Sequence, residues 1–243
     1  MNESQPAAVI VVVAKAPLVG SVKTRLCPPL TYEQAARLYT GFLLDTVDIA
    51  LSVPGCAVKA VCPTPQDAMQ LAQLLPAEVG YFVQPGTGLT AALAGSFEQG
   101  LTGGFQKVFC ISSDNPTLPA SYLEEALAAL DRPGIDLVLG PTADGGYYLI
   151  GAKMLYPELF SGMVWSTATV LAETLARAGK LGLQTHRLPP WYDLDTGREL
   201  ARFAGELGEI VPVPVGAALP FPAQDAPHTR PLLIELEMLK DGG

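Results

Sequence analysis

Long hydrophobic runs, cysteine ladders and positive charge are what this chain has least of. No apolar run approaches the roughly 20 residues that a membrane-spanning helix needs, so no membrane partner is expected. The opening Met1-Asn2-Glu3-Ser4-Gln5-Pro6 lacks the basic head of a secretory signal, and a cytoplasmic protein is expected. Four cysteines (Cys27, Cys56, Cys62 and Cys110) form no CxxC pair, and there are only two histidines. A disulfide framework or a zinc site is therefore not expected, and the cysteines read as reduced thiols. Lys and Arg number 15 against 24 Asp and Glu, a formal net charge of −9. So acidic a chain is not expected to wrap nucleic acid, which requires a basic face. One local basic loop can still hold a small anion.

What is present is alternation. The length of 243 residues and the apolar fraction of 49% suit one domain with an appendage. Strands are expected near 8–14, 57–62, 79–83, 106–111, 135–140, 146–151 and 183–188. Thr31 is placed to cap a helix through about Ala50, with Leu38, Phe42, Leu43 and Val47 at helical spacing. Shorter helices fit 66–75, 89–100, 119–130, 166–179 and 197–207. Such alternation predicts an α/β fold, a mostly parallel sheet with helices on both faces. After residue 208 the texture changes: Pro212, Pro214, Pro220, Pro222, Pro227 and Pro231 break regular structure. Leu232, Leu233, Leu236 and Leu239 then resume an apolar pattern. The expected division is a domain over 1–208 and a Pro-rich tail over 209–243. The tail would pack on that domain or on a second copy, as a homodimer.

Three charged clusters each end a stretch that reads as a buried strand. Val9 to Val13 runs into Lys15 and then Lys23-Thr24-Arg25, around a Gly20-Ser21 turn; Val108 to Ile111 runs into Ser113-Asp114-Asn115-Pro116; Trp191-Tyr192 leads into Asp193-Leu194-Asp195-Thr196. Ligands of open α/β sheets sit outside the carboxyl ends of strands. Lysine and arginine grip phosphate oxygens, and carboxylates hold Mg²⁺ or Mn²⁺ beside them. Nucleotide handling is the chemistry these residue types share.

Three local matches fail on context. A Walker A loop ending at Lys23-Thr24 would need glycine where Pro17 and Val22 stand. Gly86-Thr87-Gly88-Leu89-Thr90-Ala91 fits a dinucleotide fingerprint, but Phe109, Cys110 and Ile111 occupy the strand end where an acidic ribose partner belongs. Asp193-Leu194-Asp195-Thr196-Gly197 mimics a phosphatase nucleophile motif, yet that motif ends a first core strand and this copy comes late. His186 and His228 read as structural or surface residues.

Lys15 with Lys23-Thr24-Arg25-Leu26 resembles the opening of a family of bacterial transferases with the GT-A, nucleotide-diphospho-sugar transferase-like fold. It is called DUF2064, or the radical-SAM/selenodomain-associated transferase 1 family. The family is related to guanylyltransferases acting on 2-phospholactate and to molybdenum-cofactor nucleotidyltransferases. Further resemblances follow in order: Gln84-Pro85-Gly86, Ser113-Asp114-Asn115-Pro116, Asp144-Gly145-Gly146-Tyr147-Tyr148 and Asp193-Leu194-Asp195-Thr196. The chain departs from the pattern where Thr87-Gly88 replaces Gly-Asp, and where Gly197-Arg198-Glu199-Leu200 replaces Pro-Glu-Asp-Leu.

The resemblance implies nucleotide binding by Lys15, Gly20, Lys23, Arg25, Gln84, Gly86 and Thr87. It implies an Mg²⁺ or Mn²⁺ ion on Asp114, Asp193 and Asp195, and places Lys23, Arg25 and Asp114 in catalysis. A small-molecule acceptor would meet Asp144, Gly145, Gly146, Ser166 and Thr167. Two reactions fit this equipment: nucleotidyl transfer from an NTP to a phosphorylated or carboxylated acceptor, and glycosyl transfer from a nucleotide-diphospho-sugar. A non-catalytic nucleotide-binding module is the third alternative.

Overall fold

The computed structural model describes residues 6–208 and 225–238. Its strands are β1 (Ala8–Val13), β2 (Cys56–Cys62), β3 (Gly80–Val83), β4 (Lys107–Ser112), β5 (Leu137–Pro141), β6 (Tyr147–Ala152) and β7 (Thr185–Arg187). Its α-helices are α1 (Tyr32–Leu51), α2 (Pro65–Leu71), α3 (Gly88–Thr102), α4 (Ala120–Asp131), α5 (Val170–Lys180), α6 (Gly197–Gly208) and α7 (Thr229–Glu235). The described residues divide into two compact units. One takes the chain up to Ala16 with Ala50–Ser112 and Ala120–Tyr192; the other takes Pro17–Ile49, Ser113–Pro119 and the described residues from Asp193 onward.

The first unit is built on a seven-stranded sheet of order β3-β2-β1-β4-β6-β5-β7. β1 pairs parallel with both β2 and β4, while β6 runs antiparallel to β4 and β5. The sheet is thus mostly parallel, as the alternation predicts. Val9, Val11, Val108, Cys110 and Ile150 pack with Leu93 and Phe97 of α3 and Ala178 of α5. Side chains alternate between faces along a strand, and Ile10, Val12, Phe109 and Ile111, at the intervening positions, are buried too. Both faces of the sheet are therefore covered. The six-residue β1, AVIVVV, reads as a continuous apolar run for that reason.

The second unit centres on α1. Thr31 and Gln34 close a reciprocal cap: Gln34 N–H donates to Thr31 Oγ1 at 3.2 Å, and Thr31 N–H donates to Gln34 Oε1 at 2.8 Å. Phe42 of α1 meets Phe203 of α6 edge-on, with ring centroids 6.3 Å apart. α7 docks on α1 through Asp45, whose carboxylate accepts from the backbone N–H groups of His228 and Thr229 and from Thr229 Oγ1. Arg37 closes a two-pronged pair on Glu235, and Leu233 is fully buried. The described part of the tail therefore packs within its own unit. Pro212, Pro214, Pro220, Pro222 and Leu239 lie outside the described residues.

Four expectations need correction. Helix α5 begins at Val170 rather than at 166, because Ser166 holds a left-handed φ of 60° that no helix interior accepts. α2 stops at Leu71, four residues early. Trp191 forms a single bridge to Thr142 and ends no strand; Pro189 and Pro190 just before it have no N–H with which to extend a ladder. Pro231 lies inside α7 instead of breaking it, in the first turn, where a missing N–H costs nothing. His186 and His228 each pair with a carboxylate, on Glu125 and Asp48 respectively.

Candidate active site

Gly20 shapes the loop that leads into the second unit's charged cluster. Ser21 N–H donates to Leu18 O at 3.0 Å, closing a turn in which Gly20 has φ 77°, the region glycine alone enters freely. Lys23 follows, itself left-handed at φ 47° and ψ 35°, and a short 3-10 turn over Thr24–Leu26 buries Leu26. For a residue with a Cβ this conformation costs about 1–2 kcal/mol. The Asp193–Asp195 segment is tied to the chain after β4 by Leu194 N–H, which donates to Asp114 O at 3.2 Å.

These links bring five of the expected side chains together. Lys23 Nζ donates both to Asp114 Oδ2 and to Asp195 Oδ1, the latter at 2.6 Å. Arg25 Nη1 lies 3.8 Å from Asp195 Oδ2, and its side chain is 71% exposed. Asn115 Nδ2 donates to Asp193 Oδ1 at 2.6 Å. The Lys23 side chain is only 8% exposed, against 43% for Asp195. The ammonium is thus buried between carboxylates rather than presented on an open loop, as the phosphate role would have it.

The charges strain against one another. Burial works against the Lys23 ammonium, but Asp114 and then Asp195 overcome it and hold its pKa above the ordinary lysine value. Burial pushes Asp114 up; Lys23 offsets part of this and Asp195 adds to it. Asp193 is pushed well above the carboxylate range by burial and by the Asp114 charge. Asp195, though burial opposes it, is drawn below its usual value by Lys23 and Arg25. One ammonium is shared by two carboxylates, and only Asp195 has a second cation, Arg25, beside it, so Asp114 is the less compensated of the two. Asp114 Oδ1 is buried with no hydrogen-bond partner among the described residues.

Among the described residues, no three or more His, Cys, Asp or Glu side chains are grouped so as to hold a metal ion. Asp193 is engaged by Asn115, which leaves Asp114 and Asp195 as the pair. That pair nonetheless fits a hard cation. Mg²⁺ is commonly bound by one or two carboxylates together with substrate phosphates. The bare Asp114 oxygen and the ammonium already lodged between the carboxylates both mark a place for positive charge.

The first unit holds the other expected residues. Lys15 is exposed just beyond β1. Gln84 Nε2 donates to Gly86 O at 2.6 Å, bracing the loop that enters α3, and Thr87 is the N-cap without a side-chain cap bond. Asp144, Gly145 and Gly146 form the turn between β5 and β6, where the Asp144 carboxylate accepts from Thr142 Oγ1 and Gly146 N–H. Gly145 has φ 91°, and a Cβ there would stand 2.1 Å from Ala168 O. No other residue fits, and Gly145 O accepts from Leu171 N–H at 2.8 Å. The turn is thereby bonded to the first turn of α5 and packed against Ala168 of the exposed Ser166–Thr169 loop, which brings the two halves of the expected acceptor set side by side. Ser166 and Thr167 form no helix N-terminus; Thr167 Oγ1 bonds Val164 O and Thr169 Oγ1.

Sequence reasoning missed two supporting residues. Asn115 orients Asp193, and Glu199 Oε2 accepts from the N–H groups of Asp195 and Thr196, at 3.0 and 2.6 Å. The second had a signal: Thr196 followed three residues later by Glu199 has the spacing of a capping box.

The architecture and the strand-end cluster define the class: an α/β protein of the nucleotide-diphospho-sugar transferase-like fold. A protein of Desulfovibrio desulfuricans G20, provisionally named a nucleotide-diphospho-sugar transferase, superposes with a TM-score of 0.76 at 27% identity, over 82% of this chain and 86% of that one. A cytidylyltransferase of Leptospira borgpetersenii serovar Hardjo-bovis shares the fold at 10% identity and TM-score 0.56, over 98% of both chains. So does a CMP:2-keto-3-deoxy-manno-octonic acid synthetase complexed with CTP, at 16% identity and TM-score 0.54, over 81% of this chain and 96% of that one. No curated protein matches the chain significantly. Residues 46–167 match DUF2064, described as an uncharacterized protein conserved in bacteria, and the chain belongs to that family. Its fold is that of this transferase superfamily. Among the described residues, no helix is long and apolar enough to cross a membrane.

Proposed function

We propose that the protein is a divalent-metal-dependent nucleotidyltransferase. It would pass a nucleotidyl group from an NTP to a small phosphorylated or carboxylated acceptor and release pyrophosphate. The observation that carries this reading is the Asp114–Asp195 pair around a single ammonium, with the exposed Arg25 guanidinium beside it.

Each residue then has a role. Arg25 offers a planar fork suited to two phosphate oxygens. Asp114 and Asp195 would hold Mg²⁺ or Mn²⁺, while Asn115 fixes Asp193 next to them. When bound, such a cation neutralises phosphate charge and polarises the phosphoryl group under attack. In the first unit, Lys15 and the Gln84–Thr87 loop are candidates for the nucleotide. The rigid Asp144-Gly145-Gly146 turn, with Ser166 and Thr167, is the candidate for the acceptor. The division of the chain into a domain over 1–208 and a tail belongs to the same proposal. So do the absence of nucleic-acid partners and a cytoplasmic location.

Glycosyl transfer from a nucleotide-diphospho-sugar is the second reading, favoured by the name carried by the Desulfovibrio desulfuricans protein. One experiment separates them: pyrophosphate release from each NTP, measured beside hydrolysis of nucleotide-diphospho-sugars over a panel of acceptors. Metal-dependent pyrophosphate release is the expected result. Turnover of a nucleotide-diphospho-sugar, with none from any NTP, hands the case to glycosyl transfer.

A further inference from the structure

We infer that Lys23 is a resident counter-cation which keeps a free divalent ion out of the Asp114–Asp195 pair and yields that pair only to a metal arriving with a triphosphate. The inference rests on the proposed metal–nucleotide reading of this site and goes beyond it to the order in which the ligands can bind.

The first support is occupancy. Lys23 Nζ already makes close contacts with Asp114 Oδ2 and Asp195 Oδ1. An ammonium and a divalent cation cannot both hold those two oxygens, because like charges at contact distance repel strongly even at an effective dielectric constant of about 20. The second is the fate of the displaced ammonium. The Lys23 side chain is 8% exposed, and a buried charge that loses its partners is strongly destabilising. A bare metal ion would evict Lys23 and offer it nothing. A triphosphate supplies fresh anionic oxygens for the ammonium, so the exchange leaves every charge paired. The third is freedom to move. Leu18, Val19, Gly20 and Ser21 are exposed, so this part of the loop can shift while Val22 and Leu26, buried on either side of Lys23, stay in place and the Lys23 side chain swings. Lys23 itself holds a left-handed backbone, a strained conformation with no need to persist once its carboxylate contacts are exchanged.

Mn²⁺ is the probe, followed by the relaxation enhancement of water protons around the protein-bound ion. Wild-type protein should bind Mn²⁺ alone weakly. Lys23→Met, which keeps the length and apolar stem of the side chain, should bind it at least about tenfold more tightly, since a charge-assisted contact no longer has to be broken. Adding Asp114→Asn to Lys23→Met should abolish that gain. Lys23→Met binding Mn²⁺ no better than the wild type, while both bind Mn²⁺ with an NTP, would overturn the inference and leave the transferase reading intact. If neither protein binds Mn²⁺ even with CTP, GTP, ATP or UTP, the metal reading falls and the inference with it. Should Lys23→Met fail to fold, wild-type melting decides. Mn²⁺ and an NTP together must then shift the melt by more than the sum of their separate shifts, and simple additivity rejects the proposal.

Discussion

Asp45 and Asp114 are both largely buried carboxylates of the second unit, yet one is saturated with donors and the other is not. Asp45 is 1% exposed and accepts three hydrogen bonds, two from backbone N–H groups and one from a hydroxyl, all at the start of α7. Asp114 shares one ammonium with Asp195, feels Asp193 close by, and leaves Oδ1 bare. A saturated buried carboxylate holds structure together, here by capping α7 onto α1. An unsaturated one among like charges contributes little to stability. Its arrangement makes sense through a ligand that is positively charged, or that brings positive charge with it.

The sharpest way to break this contrast is to neutralise each side in turn. Asp114→Asn is expected to reduce metal-dependent pyrophosphate release by more than the roughly 10- to 100-fold that loss of an outer-shell partner costs a metal site. Its melting temperature should stay near that of the parent, because Lys23 keeps Asp195 and the lost contact is offset by relief of the repulsion among Asp114, Asp193 and Asp195. Retained turnover would remove Asp114 from the site.

Asp45→Ala should do the reverse. Stripping three donors of a charged acceptor should cost about 3 kcal/mol, or roughly 6–12 °C in melting temperature for a chain of this size. Nucleotide affinity should not change. A wild-type melt would show that α7 is held by its apolar contacts alone.

Arg25→Ala probes the exposed edge of the cluster. Loss of one charge-assisted contact should weaken a triphosphate about ten- to hundredfold and leave the corresponding nucleoside unaffected. Equal losses for both ligands, measured by calorimetry, would make Arg25 a structural residue.

The smallest effect is one of pH. Burial raises the Asp45 carboxyl above its ordinary 3.8, although its hydrogen bonds pull it part of the way back. The native state therefore binds this proton more tightly than the unfolded chain. The stability linked to it is fully present below the unfolded pKa and is lost as pH rises through the folded one. Asp45→Asn cannot titrate, so its stability should fall less than the wild type's as pH climbs from 3.8. Parallel curves in denaturant titrations across that range would contradict the assignment.

The fold was largely legible because strand and helix periods alternate without ambiguity. β1, with AVIVVV, and α1, with its Thr31 cap, could hardly be read otherwise. The residue types of the site were legible too, since Lys23, Arg25, Asp114 and Asp195 stand in motifs. Their relation was not. That Lys23 pairs with Asp195 across 172 positions is set by the left-handed turn at Lys23 and by Leu194 bonding to Asp114. Neither leaves a local pattern. The same holds for Asp45 and Thr229, 184 positions apart, and for the left-handed φ of 60° at Ser166. Trp191 misled for a different reason: an aromatic pair after apolar residues reads as a strand, but two preceding prolines deny it a ladder.

The most direct test of the account is the thermal shift produced by an NTP with and without Mg²⁺, measured on the wild type, Asp45→Ala and Asp114→Asn. At 100 times its Kd a ligand stabilises the folded state by about 2.7 kcal/mol. The wild type, and Asp45→Ala from its lower starting point, should show a Mg²⁺-dependent shift of that order with at least one NTP. Asp114→Asn should melt like the wild type alone and show no Mg²⁺-dependent shift. An equal shift in Asp114→Asn would contradict the claim that this half-compensated carboxylate is the seat of metal–nucleotide binding.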